Sequence, residues 1–167
     1  MIPSDHFVKF YSEVFKYLQQ QGQEAMDEYY STIAEHQKTH CLELFRTKGL
    51  AGMKEYWDHI IFEENCDADA FMSEDGKCYS FYMNGCPSLG KVLDNDAGVC
   101  DIYCLHCPGW VLPVVGEAGF YCVYDMVRKD IPRCIMKIFA DRADAEKYLA
   151  VVKKRHPENS PMIACNF

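Results

Sequence analysis

Apolar side chains recur every three or four residues through the first 65 positions, which is the spacing of amphipathic helices. Glycine often occupies the position just past a helix end, so Gly22 and Gly49 divide this stretch into three helices that continue to about Asn65. The buried sides of the three helices are predicted to carry Phe7, Tyr11, Val14 and Leu18, then Met26, Tyr30, Ile33, Cys41 and Leu44, and finally Met53, Trp57, Ile60 and Ile61. Residues 1–66 are therefore expected to form a helical layer.

The period of the pattern changes after residue 66. Ala70–Ser73 and Lys77–Met83 flank an Asp-Gly pair, and Asp-Gly between two apolar runs predicts a β-hairpin. Phe120–Val127 and Arg133–Phe139 predict a second antiparallel pair, joined by a turn at 128–130. Residues 67–167 are therefore expected to contain a small antiparallel β-sheet.

Two further helices are predicted in this second half. One begins near His106–Pro108 and runs to Gly119, with Pro113 making it short or kinked. The other begins after Asp141, a capping residue, and is terminated by His156-Pro157. The tail to Phe167 has no readable period. The predicted fold class is α+β, with an N-terminal layer of about three helices packed on the sheet, one inserted helix and one C-terminal helix.

Length and charge limit the functions to consider. A chain of 167 residues is long enough for one domain with its own core, so we expect a single domain over 1–167. The net charge of -8 argues against nucleic acid or an anionic membrane as a partner. No apolar run approaches the length of a membrane span, and no signal peptide is visible at the start. These features predict a cytoplasmic protein, where ten cysteines indicate thiols or metal ligands more than disulfides, although the even count leaves disulfides open.

Six of the ten cysteines lie between Asn84 and Ile138. Cys104-x2-Cys107 has the spacing that lets one metal ion accept both thiolates. A complete zinc or iron–sulfur site needs a second pair of ligands, which His106 or two more distant cysteines could supply. The predicted metal ligands are Cys86, Cys104, Cys107 and Cys134.

A longer spacing, Cys100-x3-Cys104-x2-Cys107, matches the one that radical enzymes using S-adenosylmethionine give to a four-iron cluster. Those enzymes normally use a much larger barrel of alternating strands and helices. This chain has neither the length nor the alternation, which argues against that chemistry.

The same residues also support thiol catalysis. A thiolate at the start of a helix is stabilised by free backbone N–H groups and by the positive end of the helix dipole. We predict Cys104 as the nucleophile, His106 as the group that moves protons, and Cys134 as part of the surrounding thiolate cluster. His106 cannot be assumed to face Cys107, because adjacent side chains on a helix diverge, and a solvated His106 is the alternative.

Other polar and aromatic patterns have a functional and a structural interpretation. Two pairs of residues lie four apart on predicted helices. The spacing suits a metal site for His36 and His40, and a base with its orienting partner for His59 and Glu63. Each pair could also be an ordinary surface pair. Aromatic residues of the first three helices either line a pocket or pack in the core and form a dimer face. They are Phe7, Phe10, Tyr11, Phe15, Tyr29, Tyr30, Tyr56 and Trp57.

The stretch from Asn84 to Ile138, about a third of the chain, resembles the L-2-amino-thiazoline-4-carboxylic acid hydrolase family and its cysteine-rich bacterial relatives. Named members open a thiazoline ring hydrolytically on the way to cysteine. The resemblance implies a thiol-dependent hydrolase, and it departs from the family at His106-Cys107, where an acidic residue is expected. The segments that carry it are Cys86-Pro87, Tyr103–Pro108, Phe120–Val127 and Arg133–Ile138, with Cys86, Cys104 and Cys134 as the matching cysteines.

Two functions are therefore predicted. The first is a small cytosolic hydrolase that acts on a C–N or C–S bond of a sulfur-containing or amide-like small molecule. The second is a non-enzymatic module in which the four central cysteines bind zinc or an iron–sulfur cluster for structure, sensing or carriage. The expected partner is a small-molecule substrate, with a homodimer as an open alternative and with neither nucleic acid nor membrane.

Overall fold

A computed structural model describes residues 3–94, 98–126, 131–155 and 157–167, with side chains described for all of these except 3–5 and 158–160. Within these residues the chain forms helices and one antiparallel sheet, so the predicted α+β class is confirmed. The helices are α1 (Pro3–Gln21), α2 (Gln23–Glu63), α3 (Pro87–Leu93), α4 (His106–Glu117) and α5 (Arg142–Arg155). The strands are β1 (Asp67–Met72), β2 (Cys78–Gly85), β3 (Tyr121–Asp125), β4 (Cys134–Phe139) and β5 (Ile163–Cys165).

Helices cover both faces of the sheet, whose strands are ordered β1-β2-β4-β3-β5. Successive side chains of a strand point to opposite faces. On β3, Cys122 and Tyr124 therefore pack with residues of α2 and α4, while Val123 packs with Ala145 of α5. None of the described helices combines the length and the apolar content that crossing a bilayer requires.

Stacked aromatic rings connect the long helix to the sheet. Phe45 and Trp57 stack with ring centroids 5.3 Å apart, and Trp57 stacks on Tyr79 of β2 at 5.7 Å. All three side chains are buried, and each contributes about 1.5–3 kcal/mol through the hydrophobic effect. This part of the core fixes how α2 lies across the sheet.

The helix ends predicted at glycine are confirmed. Gly22 has φ 104° and separates α1 from α2. Gly49 has φ 59° and ψ -139° and breaks α2 into two helical segments. Backbone conformations with positive φ favour glycine, which lacks the Cβ atom that clashes there. The first strand of the hairpin was predicted to begin at Ala70, but β1 begins earlier, at Asp67.

Two elements were not predicted from the sequence. The short helix α3 follows Cys86 directly, and its seven residues are too few to produce a helical period. The three-residue strand β5 pairs with β3 after a 3-10 helix at Pro157–Met162. The predicted start of α5 is confirmed, because the Asp141 carboxylate accepts the backbone N–H of Ala143 at 2.8 Å. The predicted turn at 128–130 lies outside the described residues.

The side chain of Asn166 holds the end of α4 against β3. Its Oδ1 accepts the N–H of Cys122 at 2.8 Å, and its Nδ2 donates to the carbonyl oxygens of Phe120 at 3.0 Å and Leu112 at 3.4 Å. A hydrogen bond of this kind contributes about 1 kcal/mol, and an unpaired buried group costs more. One amide therefore ties the inserted helix to strand β3.

Gly49→Ala is expected to lower the free energy of unfolding by about 1–3 kcal/mol, because φ 59° is strained for any residue with a Cβ atom. The added Cβ would also come within 3.3 Å of the Phe120 ring. Urea denaturation followed by circular dichroism measures the change. Gly90→Ala is the matched control, since nothing lies within 4 Å of its added Cβ and alanine favours a helix. Equal stability of Gly49→Ala and the parent protein would contradict the strain.

Candidate functional site

Four cysteines from three separate segments of the chain line one cavity, at the end of the sheet where α4 begins. Strands β2 and β4 are paired so that Met83 lies opposite Cys134. Cys86 follows β2, and its N–H donates to the Pro132 carbonyl at 2.6 Å, which keeps it beside the start of β4. The 3-10 helix at Tyr103–Leu105 and the first turn of α4 bring in Cys104 and Cys107.

The cavity is small and mostly enclosed by apolar groups. It offers about 30 Å³ to the centres of water-sized molecules, which is room for one or two waters. The remaining lining residues are Leu89, Tyr103, His106, Tyr124, Met126 and Arg133. A reacting group could enter this space, but a whole substrate could not.

His106 faces Cys107, so the divergence expected of helical neighbours is not found. The Nε2 atom of His106 lies 3.3 Å from Sγ of Cys107. Its Nδ1 atom lies 2.5 Å from the carbonyl oxygen of Tyr103. A carbonyl only accepts hydrogen bonds, so Nδ1 carries a proton and Nε2 is left to accept the proton of the thiol.

Aromatic contacts hold the imidazole in this orientation. The His106 ring stacks on Phe15 of α1 with centroids 5.5 Å apart, and Tyr103 meets its edge at 5.0 Å. The Tyr103 hydroxyl is itself hydrogen-bonded to the Ser88 hydroxyl at 2.6 Å. The ring is therefore fixed on three sides, by α1, by the 3-10 helix and by the thiol.

Burial and charge act in opposite directions on this pair. Burial raises the pKa of Cys107, whereas the neighbouring His106 and the hydroxyl of Tyr124 lower it. The lowering effects together outweigh burial, so the pKa ends below the ordinary thiol value. Burial lowers the pKa of His106, but the Cys107 thiolate and its hydrogen bond outweigh this and leave the pKa raised. Both shifts favour a thiolate beside an imidazolium.

The other three cavity thiols hold their protons. Burial raises the pKa of Cys104 to about 12, and the charges of Cys107 and Cys86 add to the shift. Burial is also the largest cause of the raised pKa values of Cys86 and Cys134. One thiolate in a cluster disfavours a second, because like charges repel in a poorly solvated space. Of the four, only Cys107 has a lowered pKa.

Tyr124 is a part of the site that the sequence did not reveal. Burial raises its pKa well above the ordinary value, so its hydroxyl keeps a proton to donate. Hydrogen bonding from this hydroxyl lowers the pKa values of Cys107 and Cys134. The signal in the sequence was strand alternation, which places Tyr124 on the same face of β3 as Cys122.

The other predicted sites lie apart from this cavity. Cys100 is buried with Phe15 and does not line the cavity, so the longer cysteine spacing does not form one cluster. His36 and His40 stack on each other and are exposed, and His59 pairs with Glu63 at 3.3 Å on the surface. In the part of the chain that the structure describes, no three His, Cys, Asp or Glu side chains are grouped so as to hold a metal ion. The predicted metal-ligand set stays a prediction.

A larger cleft adjoins the thiol cavity. The cleft offers about 380 Å³ to the centres of water-sized molecules, against about 30 Å³ for the thiol cavity. Tyr103 and His106 line both spaces. Of the aromatic residues predicted to line a pocket or the core, four line this cleft: Tyr11, Phe15, Tyr29 and Tyr30. Tyr56 and Trp57 belong to the core instead, and Phe7 and Phe10 are exposed.

Comparison with protein-family models, with curated proteins and with solved structures gave no significant match. The resemblance to the thiazoline hydrolases therefore stays a prediction, and the chemistry must be argued from the geometry of the site.

Because the pKa of Cys107 is lowered, its thiolate forms at a lower pH than that of an ordinary cysteine, whose pKa is about 8.5. Iodoacetamide labelling of Cys107, followed by peptide mass spectrometry, should accelerate as the pH rises through this lowered pKa. His106→Gln removes the counter-charge, so the acceleration should move to higher pH and labelling at pH 7 should slow by about tenfold or more.

The matched control is His59→Gln, which removes an exposed histidine that does not line the cavity and should leave the labelling profile of Cys107 unchanged. If His106→Gln also left the profile unchanged, the thiolate–imidazolium pair would be refuted.

Proposed function

We propose that this chain is a small thiol-dependent hydrolase that cleaves a C–N or C–S bond in a sulfur-containing or amide-like small molecule. The observation that carries the proposal is the 3.3 Å contact between Sγ of Cys107 and Nε2 of His106 in the small cavity. His106 also lines the adjoining cleft, which is large enough for a substrate. A thiol nucleophile with an adjacent base, oriented by a third group, is the common arrangement of cysteine hydrolases.

In the first step, the Cys107 thiolate attacks the electrophilic carbon of the substrate and forms a C–S bond. The electron pair of the C=O or C=N bond moves onto the oxygen or nitrogen. When it returns, the scissile bond to nitrogen or sulfur breaks, and Nε2 of His106 gives its proton to the leaving atom. The products of this step are the released amine or thiol and a covalent Cys107 adduct, which is a thioester where the attacked bond was C=O and a thioimidate where it was C=N.

In the second step, neutral His106 takes a proton from water, and the resulting hydroxide attacks the carbon bound to Sγ of Cys107 in the thioester or thioimidate. The C–S bond to Cys107 breaks, which restores the thiolate and the imidazolium. The cavity supports this step, because its room for one or two waters lies next to both side chains. The Tyr124 hydroxyl supports both steps as a donor to the sulfur.

This proposal assigns the nucleophile to Cys107 and keeps His106 as the proton carrier. Cys104, which was predicted to be the nucleophile, has a pKa of about 12 and would remain a thiol near neutral pH. Cys134 and Cys86 would shape the cavity as neutral thiols. An ionised thiol stays active only where it is kept reduced, so we place the protein in the cytoplasm. The exposed Phe7 and Phe10 are candidates for a homodimer face.

Cys107→Ser should lower the rate of ring opening of L-2-amino-thiazoline-4-carboxylate, or of amide and thioester substrates, by about a thousandfold or more. Cys104→Ala should stay within about threefold of the parent rate if the protein is folded. Mass spectrometry of the product, which gains one water, measures the rate. Cys165→Ser is the matched control, because it removes a thiol that does not line the cavity. Parent-like turnover by Cys107→Ser would rule out the proposed nucleophile.

The second candidate function is the thiolate metal module, which one observation favours: Cys86, Cys104, Cys107 and Cys134 line the same cavity. Thiolates are the preferred ligands of structural zinc and of iron–sulfur clusters. In the described structure the four sulfur atoms do not converge as a ligand set, so this function requires their side chains to rotate.

If the module is correct, protein purified anaerobically should contain about one zinc ion or one cluster per chain by elemental analysis. Cys134→Ser should then abolish the metal, whereas Cys165→Ser should retain it. Metal-free protein with a single readily alkylated cysteine in the cavity would reject the module and favour the hydrolase.

A further inference from the structure

The cleft beside the thiol cavity is walled by aromatic rings. Phe15 and Tyr103 are each 3% exposed and form its inner wall, while the other rings are more accessible. The rings brace one another, since Phe15 meets Tyr29 at 5.8 Å and Tyr103 at 5.6 Å. The six aromatic residues are Tyr11, Phe15, Tyr29, Tyr30, Tyr103 and Trp110.

This wall is preformed. The ring of Tyr30 lies directly over Gly109 of α4, where an added Cβ would come within 2.7 Å of the ring. Glycine at this position therefore lets the ring pack against the helix backbone. A ligand would meet rings that are already in place, so little conformational entropy would be lost on binding.

The charge of the cleft is negative. No lysine or arginine is found among the described residues that line it, and its one carboxylate is that of Glu64, at the end of α2. Glu64 makes no salt bridge within the part of the chain the structure describes. His106 also lines the cleft, but Sγ of Cys107 lies 3.3 Å from its Nε2 atom. The pair has no net charge, either as thiol and imidazole or as thiolate and imidazolium.

We propose that this cleft binds an organic cation, namely a substituted ammonium group carried by a small molecule. Aromatic faces carry partial negative charge and attract a cation held over them, most strongly where water is excluded. A single carboxylate at the edge adds attraction. Since no lysine or arginine is among the described lining residues and His106 is balanced by Cys107, a bound anion would lack an uncompensated positive partner there. The binding assignment depends on the cleft alone, and only its role as the substrate site rests on the proposed hydrolase function.

Choline and 3,3-dimethylbutan-1-ol are the probes that test this, because they have the same shape and differ in the charge of one atom. Isothermal titration of the full chain with each should show choline binding at least about tenfold more tightly than the alcohol. Equal affinities, or binding of the alcohol alone, would overturn the proposal. Quenching of Trp110 fluorescence by bound choline would place the probe in the cleft.

Glu64→Gln should weaken choline binding by about threefold and leave the neutral alcohol unchanged, because an exposed carboxylate contributes modestly. Glu63→Gln is the matched control, since that carboxylate precedes Glu64, pairs with His59 and does not line the cleft. Equal losses in both variants would reject the cleft as the site.

Titration of Cys107→Ser with the same two probes separates this proposal from the hydrolase. Choline preference retained in an inactive Cys107→Ser supports the cation site independently of turnover. An active parent protein that shows no choline preference rejects the cation site while the hydrolase stands.

Discussion

The carbonyl oxygen of Tyr103 accepts a hydrogen bond from Nδ1 of His106, and this contact decides which ring nitrogen faces Cys107. With Nδ1 protonated, Nε2 is the atom that can hold the proton of the thiol. The carbonyl belongs to the 3-10 turn just before α4, so the backbone path into the helix sets the tautomer. The proton-transfer chemistry proposed for the site therefore depends on a backbone contact that any residue at position 103 could make, while the Tyr103 ring and Phe15 keep the imidazole in place.

Four thiols around a small cavity could all be expected to behave alike, but they do not. Burial penalises the charged form of each, and only Cys107 has a cationic neighbour close enough to offset that penalty. Once Cys107 is ionised, its charge raises the pKa values of Cys104 and Cys134. The cluster therefore holds a single negative charge, which suits one nucleophile. A metal ion would reverse this logic, because it stabilises several thiolates together.

The sequence predicted the main helices and strands better than the way they pair and touch. Periodicity and glycine positions predicted the helix break at Gly49, and alternation predicted β2 and β4, but not the pairing of these two strands that places Cys86 near Cys134. The helix α3 and the strand β5 were missed, because elements of seven and three residues are too short to show a period. Which thiol ionises could not be predicted, because the contact of His106 with Cys107 depends on side-chain torsions and on Phe15, a residue 91 positions from His106.

The hydrogen bonds of the Asn166 amide affect the order in which the chain folds during its synthesis. Ribosomes deliver the N-terminal part first, and the long helices can form while synthesis continues. The helix that carries Cys107 is tied to β3 through Asn166, and β5 completes the sheet beside it. A nascent chain that has not yet released residue 166 lacks this tie, so α4 is fastened to β3 through Asn166 only after the segment that carries β5 has been translated.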